Sequence, residues 1–256
     1  MSLIFDESNK SDNIMAYVMN DESNKRIDNL ILNEDESGTK QFNLDDKHKF
    51  ALAPRKLSEK ERSVLFLSGE SGAGKSYYMR EYAKRYNKMF PENEIFLISY
   101  LDRDETLDSY DKITRLNCFN DEFLQECGDL DLNAEFSNTL VIFDDIDSIS
   151  EKKNKVIIYG LLNKMLRTGR HYGISVAYVG HELYANHDLK CILNESHVIV
   201  WFPKHLNYKK LRYLLEEYFG LNRQQVEKIR AIKDRSVAYI KGSDKLIVSE
   251  RQAFIL

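Results

Sequence analysis

The chain lacks any apolar run long enough to cross a membrane, and its opening, "MSLIFDESNK", has no basic-then-apolar leader pattern. Both absences lead to the expectation of a soluble intracellular protein with no membrane partner. Cysteine is scarce: Cys118, Cys127 and Cys191 are odd in number, scattered and without metal-ligand spacing, and are expected as reduced thiols in or near the core. A basic excess is also missing, because the net charge is −4. What is present is 43% hydrophobic residues in a chain of 256, enough to bury a sizeable core in one large domain or a core with an appendage.

The charge is unevenly placed. Residues 1 to 50 hold eleven Asp/Glu against six Lys/Arg, whereas residues 203 to 235 hold nine Lys/Arg against four Asp/Glu. The late segments "KHLNYKKLRY" and "NRQQVEKIRAIKDR" have two readings. They could contact nucleic-acid phosphates, or they are solvated faces of amphipathic helices that turn Leu211, Leu214, Leu215 and Tyr218 to the core.

Within residues 1–50 a polar cluster recurs: "DESNK" at 6–10 and 21–25, then "DESGTK" at 35–40. The runs between, "IMAYVM", "IDNLIL" and "QFNL", read as strands, which predicts an acidic β-meander; a flexible arm is the alternative. From about residue 51 the pattern alternates strand and helix, with strands expected at 63–67, 94–99, 112–116, 139–144, 174–179 and 197–202. That alternation predicts an α/β domain over 51–256 with a core at 60–205 and a mainly parallel sheet. Two helices and a hairpin, "SVAYI" and "KLIVS", close the chain. One helix is marked by Ser148 and Glu151 as a capping box and by a stripe of Ile158, Leu161, Leu162, Met165 and Leu166. It stops near Gly173, and Gly160 inside it predicts a close packing neighbour.

The chemistry is concentrated in "GESGAGKS", Gly69 to Ser76, which fits GxxxxGK[ST] at every fixed place. It lies between a strand-like run and a helical one, where converging backbone N–H groups and a helix N-terminus favour a phosphate. Gly69, Glu70, Ser71, Gly72, Ala73, Gly74, Lys75, Ser76 and the following Tyr77 are therefore the expected nucleotide-triphosphate-binding residues. Lys75 would reach the β- and γ-phosphates and Ser76 would hold Mg²⁺. The strand "TLVIFDDID" supplies a second motif: Asp144 as a Walker B ligand of Mg²⁺ on the strand beside the phosphate loop, with Asp145 pointing the other way to activate water. Asp147 is the substitute for Asp145. A third piece is "ISVAYVGHE", which places His181 at a strand tip as a sensor of the γ-phosphate.

The order GESGAGKS, "LVIFDD", "LLNKMLRTGRHYGISVAYVGHE", "ILNESHVIVWFPK" resembles the FtsK/HerA superfamily, especially the genome-packaging ATPases of large double-stranded DNA viruses, over roughly residues 60 to 205. The resemblance implies a RecA-like core, a ring-like homo-oligomer (pentamer or hexamer), and ATP hydrolysis coupled to moving duplex DNA into a capsid. Viral capsid proteins are implied partners, and the host cytoplasm or the virion the place. It also implies an arginine acting across a subunit interface: Arg170 first, Arg167 second. Two positions depart from the pattern, Asp145 where Glu is usual and His181 where Gln is common. A nucleotide or nucleoside kinase and an ATP-binding scaffold with little turnover are the rival readings.

Overall fold

The computed structural model describes residues 1–8, 13–55, 62–116, 121–127, 130–183, 189–242 and 244–256. Contacts divide the chain into two units, Met1–Leu57 with His197–Leu256, and Ser58–Ser196. The division differs from the sequence boundary at residue 50, because the two ends of the chain share one unit.

In the first unit, β1 (Ser2–Phe5), β2 (Ile14–Asn20), β3 (Arg26–Asn33) and β5 (His48–Leu52) form an antiparallel sheet of order β1-β3-β2-β5. The first two runs of the expected meander do pair, β2 with β3, but the meander is corrected at its third run, because β4 (Gln41–Asn43) leaves this sheet to pair with the last strand of the chain; β1, unforeseen in the sequence, adds beside β3. The second polar cluster does form a turn. Asn20 Oδ1 accepts the Ser23 amide at 2.8 Å, and Asn24 takes a left-handed φ of 51°, a conformation that Asn tolerates well. Asp21 is held by Arg251 Nη2 at 2.6 Å and Lys49 Nζ at 2.9 Å, and the Arg251 contact, ahead of Lys49, depresses its carboxyl below the usual range.

The second unit carries five parallel strands: β6 (Val64–Ser68), β7 (Ile95–Ser99), β8 (Ile113–Leu116), β9 (Leu140–Asp144) and β10 (Ser175–Gly180), in the order β6-β10-β9-β7-β8. Every residue of β6, β9 and β10 is buried, as expected for strands covered on both faces. Each side chain of the Leu or Val class so buried contributes roughly 1.5–3 kcal/mol. Register matters most for function: Gly180 pairs with Ser68, Val179 with Asp144 and Ser99 with Asp144. Four strand ends therefore share one edge. The strand bearing Asp144 is not beside the phosphate-loop strand, as the sequence predicted; β10 lies between them.

Helix α1 (Lys75–Met89) follows β6, and the short α2 (Asp121–Glu126) and α3 (Leu132–Phe136) precede β9. Helix α4 (Lys152–Thr168) carries the predicted stripe, fully buried, but starts at Glu151 with no side-chain cap. Ser148 belongs instead to a separate turn, Ile146–Ser148, so no capping box forms. Gly160 lies on the exposed face, and among the described residues an added Cβ there would meet nothing within 4 Å, so the predicted close neighbour is not found among them. The helix end is satisfied by Arg62, buried, whose guanidinium donates to the carbonyls of Met165 and Leu166, a C-terminal cap with no sequence signature. Gly173 stops the following turn at φ 67°, where a Cβ would lie 2.5 Å from Asn138 Oδ1. Helix α5 (Leu189–Glu195) ends the unit.

The rest of the first unit is antiparallel: β11 (Val198–Trp201), β12 (Val237–Ile240), β13 (Leu246–Ser249) and β14 (Gln252–Ile255) pair in succession, and β14 receives β4. The predicted hairpin is β12–β13. Between β11 and β12 lie α6 (Tyr208–Tyr213), a π-helical turn Leu214–Tyr218, and α7 (Arg223–Arg230), which Asn222 and Gln225 start as a true capping box. Leu211, Leu214 and Leu215 are buried while Lys209, Lys210 and Arg212 are exposed. Tyr218 is only half-buried. Cys127 is buried and Cys191 half-buried, both as free thiols; Cys118 lies outside the described residues. No helix among the described residues is long and apolar enough to cross a membrane.

Candidate functional site

The loop Gly69–Ser76 joins β6 to α1 at the edge where the strand ends align. Only two of its glycines need their freedom: Gly72 at φ 77° and Gly74 at φ 102° are left-handed, and Gly69 is not among the positive-φ residues. Gly69 instead ties the loop to the next strand, its amide donating to Gly180 O at 3.2 Å. Glu70, Ser71 and Tyr77 are exposed and Ala73 is buried. The Arg80 guanidinium sits 5.0 Å from the Tyr77 ring.

Lys75 is buried and folds back over its own loop. Its Nζ donates to Gly69 O at 2.9 Å, to Glu70 O at 3.4 Å and to His181 Nδ1 at 3.2 Å. An ammonium has only protons to offer, so Nδ1 must be the unprotonated ring nitrogen. The ring proton then sits on Nε2, which lies 3.0 Å from Asp145 Oδ1 as a close charge contact. Lys75, His181 and Asp145 thus form one line across the ends of β6, β10 and β9. Asp147 serves differently: its Oδ2 accepts the backbone amide of His181 at 3.1 Å, which fixes the residue rather than the ring.

Asp144 and Asp145 do not alternate along a strand. β9 ends at Asp144, and Asp145 takes φ 51°, a left-handed kink that keeps its amide bonded to Val179 O at 3.0 Å while its carboxylate turns toward His181. Asp, like Asn, accepts this conformation more readily than most side chains. Asp144 is almost fully buried, with Ser99 Oγ donating to its Oδ2 at 3.2 Å. Burial, then the charges of Asp145 and Asp104, push its carboxyl up to about 7. Burial also raises Asp145, reinforced by Asp147 and Asp104 and opposed by His181 and Lys75.

Two participants were missed in the sequence. Ser99 ends β7 and partners Asp144. Asp104 lies on the loop after β7, where its Oδ2 accepts the hydroxyl proton of Ser76 at 2.9 Å. The available signal was weak: an acidic residue shortly after a parallel strand, on the edge where such sheets bind ligands.

The donors suit a magnesium nucleotide. Ser76, Asp104, Asp144 and Asp145 offer hard oxygens on one edge of the sheet. Mg²⁺ is usually held by one or two carboxylates together with substrate phosphates. Among the described residues no cluster of three or more His, Cys, Asp or Glu side chains could hold a metal ion by itself.

Arg167 and Arg170 lie elsewhere. Both are exposed, at the end of α4 and in the turn Gly169–Tyr172 that leads into Ser175. The site is at Gly180, the other end of β10, so the strand alone separates them by roughly 16 Å at about 3.3 Å per residue.

No protein-family model matches the chain. The uncharacterized protein V3 of Sputnik virophage is 33% identical over 240 residues, 93% of this chain and 88% of that protein. Among solved structures, B204, the DNA-packaging ATPase from Sulfolobus turreted icosahedral virus, superposes with a TM-score of 0.51 at 16% identity, covering 74% of this chain and 97% of that one. The cytoplasmic domain of the Thermomonospora curvata type VII secretion ATPase EccC gives 0.50 at 11% identity, covering 95% of this chain and 29% of that one. At these identities the structural likeness establishes the fold. The chain belongs to the family of the Sputnik virophage V3 protein, and it shares the fold of B204.

Proposed function

We propose that this protein is an ATP-hydrolysing motor that moves double-stranded DNA into a viral capsid, working as a ring-like homo-oligomer of five or six copies. The observation that carries the ATPase reading is the line Lys75, His181, Asp145 at the ends of three strands, with Asp144 and Ser76 beside it. The virophage relative and the shared fold of B204, itself a DNA-packaging ATPase, support the choice of substrate and setting.

In this reading Lys75 exchanges its loop carbonyls and His181 for the β- and γ-phosphates, and the loop amides cradle the β-phosphate. Ser76 and Asp144 would hold Mg²⁺, which when bound would supply neutralising charge at the phosphates. Asp145 takes the proton of the attacking water, and its placement at the His181 ring makes it a better candidate than Asp147. His181, released by Lys75, reports the γ-phosphate to the end of β10. Arg170, or Arg167, completes the site of a neighbouring copy, and Lys209, Lys210 and Arg212 meet DNA phosphates. Capsid proteins are the docking partners.

The test is phosphate release from ATP with and without duplex DNA. A motor releases phosphate to water and is stimulated by DNA. Turnover only with an added acceptor would make the protein a kinase, and tight ATP binding with negligible turnover, DNA or none, would make it a scaffold.

A further inference from the structure

Asp104 stands outside every motif of the sequence, yet its carboxylate is the group to which Ser76 gives its only hydroxyl proton. The other oxygen, Oδ1, accepts the amides of Thr106 and Leu107, each at 2.8 Å. The carboxylate therefore cannot swing away without breaking its own turn.

That turn is braced in series. Asp108 Oδ2 accepts the Asp104 amide at 2.8 Å, and Asp108 Oδ1 is gripped by Arg115 through Nε at 3.0 Å and Nη2 at 2.7 Å. Arg115, on β8, also donates from Nη1 to Leu101 O at 2.7 Å. Leu107 is fully buried beneath the turn, and Arg80 of α1 reaches Ser109 Oγ at 3.2 Å. An otherwise exposed loop is thus fastened from β8 and from α1, and the group it holds in place is one carboxylate oxygen at one hydroxyl. Rotamers locked by packing and by supporting hydrogen bonds are what a preorganised site requires.

The consequence follows from what a hydroxyl has to give. Serine offers one proton and two lone pairs. With the proton committed to Asp104, the lone pairs point away from that carboxylate and the oxygen becomes a stronger donor to a cation. Asp144 has a separate orienting partner in Ser99, so each of the two oxygens assigned to the cation has its own. We propose that Asp104 is a positioning residue for the divalent cation: acting through Ser76 Oγ, it sets metal affinity and not affinity for the nucleotide alone. This rests on the reading of Gly69–Ser76 as a triphosphate cradle, and deepens it. Partners of this kind commonly set 10- to 100-fold in metal affinity.

Asp104→Asn separates the roles, because Asn keeps Oδ1 for the two amides but presents a donor, not an acceptor, to Ser76. Binding of a fluorescent non-hydrolysable ATP analogue is measured with and without Mg²⁺, and Mn²⁺ affinity is followed by electron paramagnetic resonance in the presence of the same analogue. The expected result is a loss of about 10- to 100-fold in Mn²⁺ affinity, with metal-free analogue binding and melting temperature unchanged. In a Ser76→Ala background the same substitution costs nothing further, since the effect travels through that hydroxyl. Asp108→Asn, which loosens the brace, gives a smaller loss of the same kind and serves if Asp104→Asn does not fold. Parent-like Mn²⁺ affinity in either variant, equal loss of metal-free binding, or additive losses with Ser76→Ala would overturn the assignment while leaving the cradle intact. Failure of the parent to bind the analogue at all would overturn the cradle and the assignment together.

Discussion

The ammonium of Lys75 lies 3.2 Å from Nδ1 of His181, and with its two carbonyl contacts this commits all three of its protons. A phosphate must displace at least part of that set. Lys75 and His181 are therefore bound to each other, so a phosphate at the lysine would compete with His181 and with the two carbonyls for its protons.

Two substitutions read this exchange. Lys75→Ala removes the charge on the β- and γ-oxygens, and triphosphate affinity should fall about 10- to 100-fold, the range of a charged hydrogen bond. His181→Ala removes a competitor for the lysine, so affinity should hold or tighten while turnover falls. Nucleotide titration and steady-state kinetics check both, and unchanged ATP affinity in Lys75→Ala would sink the cradle.

Asp145→Asn keeps the shape and removes the base. ATP binding should persist and hydrolysis should drop roughly 10²- to 10⁴-fold. Normal turnover in this variant would pass the water-activating role to Asp147, which holds the amide of His181.

Asp144 links the site to pH. Its folded value near 7 lies above the ordinary 3.8, so the fold favours the protonated carboxyl and loses stability as pH rises through that window. At about 1.4 kcal/mol per pH unit the ceiling is about 4 kcal/mol. Asp144→Asn should raise the melting temperature of the ligand-free protein at pH 8 and leave it nearly unchanged near pH 4, even though it cripples Mg²⁺-dependent turnover. A melting shift of equal size at both pH values would contradict the charge explanation.

Arg170 tests the oligomer. Arg170→Ala alone and Asp145→Asn alone should each be inactive, the arginine contributing on the order of 10³ to 10⁵ in rate. Mixed assemblies should regain activity, because some contacts pair an intact site with an intact arginine. No rescue in mixtures shown to co-assemble would shift attention to Arg167.

Charge reversal at Lys209, Lys210 and Arg212 should weaken duplex binding and flatten its salt dependence, since each lost phosphate contact removes released counterions. Basal ATPase should survive. Arg212 is the least informative of the three, being paired with Glu216 at 2.9 Å; a parental salt slope would mark all three as a solvated helix face.

What the sequence determined by itself was local. The strand–turn–helix run around "GESGAGKS" is legible whole, a run of glycines and a lysine between β6 and α1; likewise the buried strands β6, β9 and β10 are apolar runs, and the α4 stripe has helical period. What tertiary structure decided was which ends meet. Parallel strands share no turn, so nothing in the chain states that β10 enters between β6 and β9, or that His181 therefore reaches both Lys75 and Asp145. The kink at Asp145 breaks the alternation on which a strand reading depends. Ser99 gains its partner because β7 ends in register with β9, and such a register between strands distant in sequence is set by packing of the whole sheet, not by any residue along it; Asp104 meets Ser76 because its loop is held by Asp108 and Arg115.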